Sequence, residues 1–529
     1  MTDKDIIKCR GSLPILTMRN ESVIDLDDSV KYSAKKLFNV KNKTSLACGP
    51  DTISMRHIQD LFPSVEKFLQ KAIDKPIDKI IPVRENFNRL ILKDSSEKPP
   101  HTAKSFRPIA ELDLIPKYST IKIFGEQLRN QIVPKMSGNQ YAMPTLGCQA
   151  AISDTFDEIF YNIKSGMYVM LAITDQSNAF CVTDHDVAEK IAKDSYDFSP
   201  RMLEIFKQYQ DQTVSTVKIS HKNGFFFSQK TDMRRGNQQG QICSDTVFQM
   251  LNEAILPVSC HDTTVSRKKF IDDWTDVYAS KKSENIFRTL NVNQTVLLKQ
   301  CTSLGLKLND SKTQILAFNI PKTDIRTDLE VITDAKFLGF EFKGTEKGPS
   351  GDPAGEAVIS DLGEACRVIS ALRKSEENIF VRIESATKLI YSILGNIGNI
   401  YVYASNTIFE RIACNCRKVI KAAGLDQLTK NETVYRIAFG YNIGTIAKKQ
   451  IIQGGLKKVS MTSIKKDRFK VVLRNGDDKR PFLATFAKLF NDLPTEVRRK
   501  IAEKYDKNHK NKVNSVKNIL RNHFLNEYN

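Results

Sequence analysis

The stretch Lys268-Lys269-Phe270-Ile271-Asp272-Asp273-Trp274-Thr275-Asp276-Val277-Tyr278-Ala279 decides how the rest of the chain is read. Two apolar pairs, Phe270-Ile271 and Val277-Tyr278, flank a short polar stretch, which reads as two strands joined by a turn. On a straight strand neighbouring side chains point to opposite faces, whereas at a turn two adjacent carboxylates can converge. Upstream, Tyr168-Val169-Met170-Leu171-Ala172-Ile173-Thr174 is an apolar run of strand length that stops at Asp175. A third carboxylate carried from that strand to the turn makes a dense negative site, costly unless cations neutralise it. Such oxygen ligands suit Mg²⁺. Two ions about 4 Å apart could activate a 3′-hydroxyl and stabilise a leaving pyrophosphate. Taken alone, an Asp-Asp pair is an ordinary acidic turn, and only order and context along the chain lift it.

Around this stretch, helical and strand-like segments alternate. Cys148 to Lys164 reads as a helix, Tyr168 to Thr174 as a buried strand, and Pro200 to Gln210 as a helix. Two β-rich pieces follow, Thr213 to Ser220 and Gly224 to Gln229. The run Gly348-Pro349-Ser350-Gly351-Asp352-Pro353-Ala354-Gly355 cannot continue a helix or a central strand, and marks a domain edge or a long hairpin loop. Beyond it Leu362, Ala365, Ile369 and Leu372 fall on one helical face. The expected class is α+β, followed by an all-α region and a basic C-terminal segment.

With 529 residues, 41% of them hydrophobic, the chain is long enough for about three packed units. Lys and Arg outnumber Asp and Glu by 80 to 61, a net +19 that points to a polyanionic partner. From Ile451 to Asn529 there are 19 basic against 8 acidic residues, so +11 of that excess lies in the tail. The ten cysteines include no CxxC pair and no Cys–His block, which leaves no zinc-finger spacing and predicts free thiols. No apolar run approaches the roughly 18 residues of a membrane span. The N-terminus, MTDKDIIKCRGSLPILTM, lacks the apolar core of a signal peptide. An intracellular soluble protein of the nucleus or cytoplasm is expected.

From about residue 47 to 345 the chain resembles the reverse transcriptase domain of non-LTR retrotransposons, block after block in family order. Ala47-Cys48-Gly49-Pro50-Asp51-Thr52-Ile53 is similar to the opening Gly-x-Asp block. Phe106-Arg107-Pro108-Ile109 is similar to the fingers motif, with Lys93 its upstream basic partner, and Asn139-Gln140-Tyr141 resembles the segment before the palm. The first palm motif is matched by Asp175-Gln176-Ser177-Asn178-Ala179-Phe180. The second is matched by Gly236-Asn237-Gln238-Gln239-Gly240 with Ser244-Asp245 and Phe248, and the third by Phe270-Ile271-Asp272-Asp273. Gly305 to Asn309 with Lys312-Thr313 resembles the fourth, and Lys336-Phe337-Leu338-Gly339 the fifth. Phe490-Asn491-Asp492-Leu493-Pro494 resembles an element near the ends of such polymerases.

The resemblance implies a right-hand polymerase. Its parts would be an N-terminal extension (1–45), fingers and the start of the palm (46–170), palm with finger insertions (171–345), a helical thumb (346–450) and a basic nucleic-acid-binding region (451–529). Asp175, Asp272 and Asp273 would hold two Mg²⁺ ions, with Mn²⁺ able to substitute. Lys93 and Arg107 would grip the incoming triphosphate, and Phe180, Gln239 and Gly240 would shape the nucleotide pocket. Lys312 would protonate the departing pyrophosphate. Phe337, Leu338 and Gly339 would hold the primer terminus. Partners would be an RNA template, a DNA primer and deoxynucleoside triphosphates, with no membrane.

Three departures stand out. Gln238 replaces the family's usual Pro, Asp245 replaces another Pro, and Cys181 follows Phe180 where an Asp is common. None removes a metal ligand. The polymerase blocks start by residue 47 and the tail has no Cys–His knuckle, so a nuclease activity is not expected of this chain. A viral-type RNA-directed RNA polymerase is the nearest alternative. Phe180 argues against it, because an aromatic there would fill the space of a ribose 2′-hydroxyl. A degenerate RNA-binding scaffold is a further alternative, against which all three carboxylates are retained. A chain cut near Ala447 is expected to lose part of its nucleic-acid affinity and salt dependence with the basic tail.

Overall fold

The computed structural model describes residues 23–38, 49–75, 85–92, 106–137, 139–143, 146–176, 179–211, 214–221, 224–233, 235–237, 239, 243–308, 313–325, 327, 330–373, 378–426, 428–439, 442–458, 464–465, 470–471, 479–506 and 512–528. Its strands in chain order are β1 Glu85–Leu92, β2 Phe106–Leu112, β3 Tyr168–Thr174, β4 Val214–His221, β5 Gly224–Phe227, β6 Thr231–Asp232 and β7 Thr264–Phe270. Then follow β8 Asp273–Ser280, β9 Gln314–Phe318, β10 Asp334–Phe337, β11 Phe340–Thr345, β12 Gly348–Ser350, β13 Ile464–Lys465 and β14 Lys470–Val471. The chain is mixed α+β and divides into two compact units that interleave along the sequence. One is drawn from Met1–Gln140, Asp175–Leu256 and Asn293–Asp310, the other from Tyr141–Thr174, Pro257–Val292 and Ser311–Asn529.

In the second unit β3 is central in an antiparallel sheet of order β7-β8-β3-β9. Both faces of β3 are covered, which is why it reads as an unbroken apolar run. Val169, Leu171 and Ile173 face a core with Ile152, Phe156 and Ile159 of the Cys148–Lys164 helix. Met170 and Ala172 face Ile286, Phe287 and Leu290 of the Ser283–Ser303 helix. Beneath the first of these cores lie the Asp352–Leu372, Asn406–Ala422 and Ile443–Lys458 helices, and the Pro481–Asp492 helix adds Phe482, Phe486 and Phe490 to the same core. The four-residue spacing of those rings therefore marks a packing face.

The Gly348–Gly355 run is not a long loop but a short strand followed by a helix start. Gly348–Ser350 is edge strand β12, paired on one side with β11, where Pro349 has no ladder bond to lose. The next helix starts at Asp352, with Pro353 in the first turn, where a missing N–H costs nothing. Both elements belong to the second unit.

The first unit holds a sheet of order β2-β1-β4-β5, with β6 also on β4. Its β1–β4 pair is parallel and the rest antiparallel. The His185–Asp194, Pro200–Asp211 and Ser244–Glu253 helices pack beside one another in this unit. Among the described residues no helix is long and apolar enough to cross a membrane.

Candidate functional site

The Asp272-Asp273 pair sits at the tip of the β7–β8 hairpin, where Phe270 pairs with Asp273 across a two-residue turn. That turn is Ile271-Asp272, tighter than the polar stretch expected from sequence. Trp274 and Thr275 belong to β8 and are buried. The turn closes because Ile271 takes φ 57°, a left-handed conformation that a β-branched residue adopts only under constraint. One step along, the sheet register sets Thr174, the last residue of β3, opposite Trp274. Asp175 follows Thr174 directly, and there the chain passes from the second unit into the first. All three aspartates are half-buried, and Asp273 lies close enough to the Cys148–Lys164 helix start to help burial raise the Cys148 thiol.

The hairpin is rigid behind its tip. Arg267 and Asp276, cross-strand partners, form a doubly bonded ion pair at 2.7 and 2.6 Å with both side chains buried. The Arg267 guanidinium also lies 5.3 Å from the Trp274 ring centre. Removing either charge would strand its partner in a dry interior. Sequence reading missed this pair. β7 reads Thr-Val-Ser-Arg-Lys-Lys-Phe, so Arg267 does not stand out among its neighbours until the strand register sets it opposite Asp276.

In the first unit the expected nucleotide residues are tied together through backbone bonds. The Phe180 carbonyl accepts from the Asn237 N–H at 2.6 Å, and the Thr183 carbonyl from the Gly236 N–H at 2.8 Å. Gly236 has φ 91°, and a Cβ there would come within 2.8 Å of the Cys181 backbone, so only glycine allows this approach. The Ala110 N–H donates to the Gln239 carbonyl at 2.7 Å, which joins Gln239 to β2, the strand carrying exposed Arg107. The Phe180 ring stacks on the buried Phe248 ring at 4.9 Å and 27°. Asp245, where the family has Pro, stands in the first turn of the Ser244–Glu253 helix and pairs with Arg129 at 2.7 Å. Lys93, Gly240 and Lys312 lie outside the described residues, as does Gln238.

Phe337, Leu338 and Gly339 form a second tight hairpin in the second unit. Phe337 pairs with Phe340, both buried, and the turn residues Leu338 and Gly339 have φ 50° and 79°. This is the sign pattern of a type I′ turn, which matches strand twist.

Carboxylate oxygens at half-buried positions suit a hard cation such as Mg²⁺. Among the described residues no three His, Cys, Asp or Glu side chains are already gathered as a metal-holding group. The three aspartates suit Mg²⁺ by donor chemistry and are not gathered into one metal-holding group.

No family model matches this chain, and no curated protein matches it. Solved structures similar to it include telomerase from Candida albicans in complex with the TWJ fragment of telomeric RNA, at 12% identity and TM-score 0.37, covering 74% of this chain and 68% of that one. Telomerase from Candida tropicalis with the same type of fragment is similar at 11% identity and TM-score 0.39, covering 90% and 70%. The apo form from Candida tropicalis gives 12% and 0.36, covering 75% and 73%. Likeness at this level carries no weight for activity or partners.

Proposed function

We propose that this chain is an RNA-directed DNA polymerase. The observation that carries the reading is the register of β3 on β8. It ends with Thr174 opposite Trp274, so the ladder stops with Asp175 one residue beyond and Asp273 one residue before. In this reading Asp175, Asp272 and Asp273 hold two Mg²⁺ ions. Such ions would lower the pKa of a primer 3′-hydroxyl and neutralise charge on pyrophosphate. Three carboxylates cannot close up unpaired, so their gathering around bound cations belongs to the proposal.

Arg107 stands at an exposed position on β2 and would hold the triphosphate bidentately, with Lys93 as the second cation of the proposed pair. Gln239 and Gly240 would line the pocket floor, with Gln239 held to β2 through its carbonyl. Phe180, backed by Phe248, would occupy the space of a 2′-hydroxyl and so select deoxynucleotides. Lys312 would supply the proton that pyrophosphate takes as it leaves. The Leu338-Gly339 turn would steady the primer end.

Extension of a DNA primer on an RNA template with Mg²⁺, using deoxy- or ribonucleotides, tests the reading. Deoxynucleotide-dependent extension is expected. Preference for ribonucleotides would move the assignment to an RNA polymerase, and no extension with intact RNA binding would leave a scaffold.

A further inference from the structure

Within the first unit, the segment Ile24–Asp28 lies in a groove between the Lys122–Ile132 helix and the Asp197–Arg201 stretch. Two glutamines of that helix read its main chain. Gln127 accepts from the Asp27 N–H at 2.8 Å and donates to the Asp27 carbonyl at 3.3 Å. Gln131 does the same to Asp25, at 3.1 and 2.6 Å. Residues four apart on a helix rise about 6 Å along its axis, and alternate residues of an extended chain lie about 6.6 Å apart. The helix face is thus spaced to read an extended chain. On the other side the Ile24 N–H donates to the Asp197 carbonyl and the Ser199 N–H to the Ile24 carbonyl, both at 2.9 Å, in the manner of an added strand. Ile24 and Leu26 are buried, and Arg201 donates twice to the Asp28 carboxylate, at 2.8 and 3.0 Å.

These contacts say what else would fit. The Asp25 and Asp27 carboxylates turn back on the segment itself, accepting from the Leu26 and Ser29 N–H groups. The groove therefore recognises side chains through Ile24, Leu26 and Asp28. The Arg201–Asp28 pair is partly exposed, so it fixes register more than affinity. Alternating N–H and carbonyl groups are a property of peptide main chain, and any extended segment of pattern apolar-x-apolar-x-Asp offers the same bonds. Exchange of one main chain for another keeps the buried Gln127 amide bonded. The chain's own segment has only nearness in its favour, a local concentration on the order of millimolar. Ser29, Val30 and Lys31, which follow it, are exposed, so it can lift away without opening further packing. We propose that this groove docks an extended segment of a partner protein with the pattern apolar-x-apolar-x-Asp, and that residues 24–28 guard it in cis. The groove needs no catalysis, so it stands or falls apart from the polymerase reading.

The test is fluorescence anisotropy of a labelled synthetic peptide spanning Glu21–Val30, titrated with the full chain. I24D/L26D disables the cis segment and leaves the groove intact. It should bind the peptide about tenfold or more tightly than the parent, whose own segment competes. D28R loosens only the exposed end of that segment, and should raise peptide affinity about two- to fivefold even if I24D/L26D does not fold. Adding Q127A/Q131A in either background should undo the gain, since four main-chain bonds are lost. A peptide with Asp in place of Ile24 and Leu26 should bind none of these proteins. The proposal is overturned if D28R and a folded I24D/L26D bind the peptide no better than the parent, or if Q127A/Q131A leaves binding unchanged. It is likewise overturned if the parent dimerises in light scattering and the peptide dissolves the dimer, which would make the occupant a second copy of this chain.

Discussion

Ile271 and Leu338 take backbone angles that are comfortable for glycine, and both stand in tight turns of the candidate site. Each left-handed residue costs roughly 1–2 kcal/mol, an expense that persists where surrounding packing over-determines the turn. At the first turn the result is an Asp-Asp tip rather than a loose acidic loop. If the tip holds the metals, Asp273→Asn should lower primer extension by about 10³-fold or more, since several kcal/mol of transition-state stabilisation are at stake. Thermal stability should be kept or slightly raised, because one repelling charge is gone. Undiminished extension by that variant would sink the metal assignment. Phe180 offers a test of sugar choice, since its ring rests on Phe248 rather than on a flexible loop. Phe180→Ala should raise ribonucleotide over deoxynucleotide incorporation by about 10–100-fold, the range a pocket gains or loses by one group. Competition between the two nucleotides at equal concentration measures it.

The start of the Pro481–Asp492 helix is bonded by a buried carboxylate. Asp157 accepts from the N–H groups of Phe482 and Leu483 at 2.8 and 3.1 Å and from the Tyr403 hydroxyl at 2.9 Å. It thereby caps one helix, ties down a second and belongs to a third, the Cys148–Lys164 helix packed on the β7-β8-β3-β9 sheet. Burial, and then the Asp157 charge, pushes the Tyr403 phenol well up, so it stays a neutral donor. Asp157→Asn turns an acceptor into an amide that meets donors, at a cost of about 1–3 kcal/mol. Denaturant titration should show the loss, and hydrogen exchange should rise first in residues 481–492. This arrangement also corrects the expected truncation near Ala447. That cut would strip Phe482, Phe486 and Phe490 from the core, and the shortened chain should misfold rather than merely bind less tightly.

Charge and solvation act over the molecule as a whole. Part of the tail's basic excess is spent internally. Arg498 is buried, Arg499 bonds Glu496 and Glu503, and Lys500 pairs with Glu496. The Lys512–Tyr528 helix buries Val516, Leu520 and Phe524 and leaves Lys517 and Arg521 exposed. Replacing both by Gln should flatten the salt slope of nucleic-acid binding by about 1–2 if each meets a phosphate. An unchanged slope would mark them as an ordinary solvated face. Stability should fall in alkali for a separate reason. Burial pushes the Cys243 and Cys416 thiols up to about 12, from an ordinary value near 9. A raised acid is neutral in the fold, so its contribution is intact below pH 9 and is lost as pH rises toward 12. Denaturation midpoints measured across that window should decline, and less steeply in Cys416→Ala.

Local periodicity determined much of this protein. The Cys148–Lys164 helix and strand β3 begin and end where apolar spacing places them, and Phe482, Phe486 and Phe490 pack as one face because four-residue spacing returns to the same side of a helix. The order of short motifs likewise named the residues of the candidate site without any coordinates. The tertiary structure alone decided what depends on distant partners. It set β1 beside β4 in parallel, about 130 residues on, and so brought Arg89, Lys218 and Phe227 to one face. It forced Ile271 into a left-handed turn that its side chain resists in isolation. It also folded the Gly348–Gly355 run into an edge strand and a helix start, and buried Arg498 within a tail that composition reads as uniformly exposed charge. Periodicity reports which face of an element is apolar, whereas register and burial depend on neighbours far away in the chain.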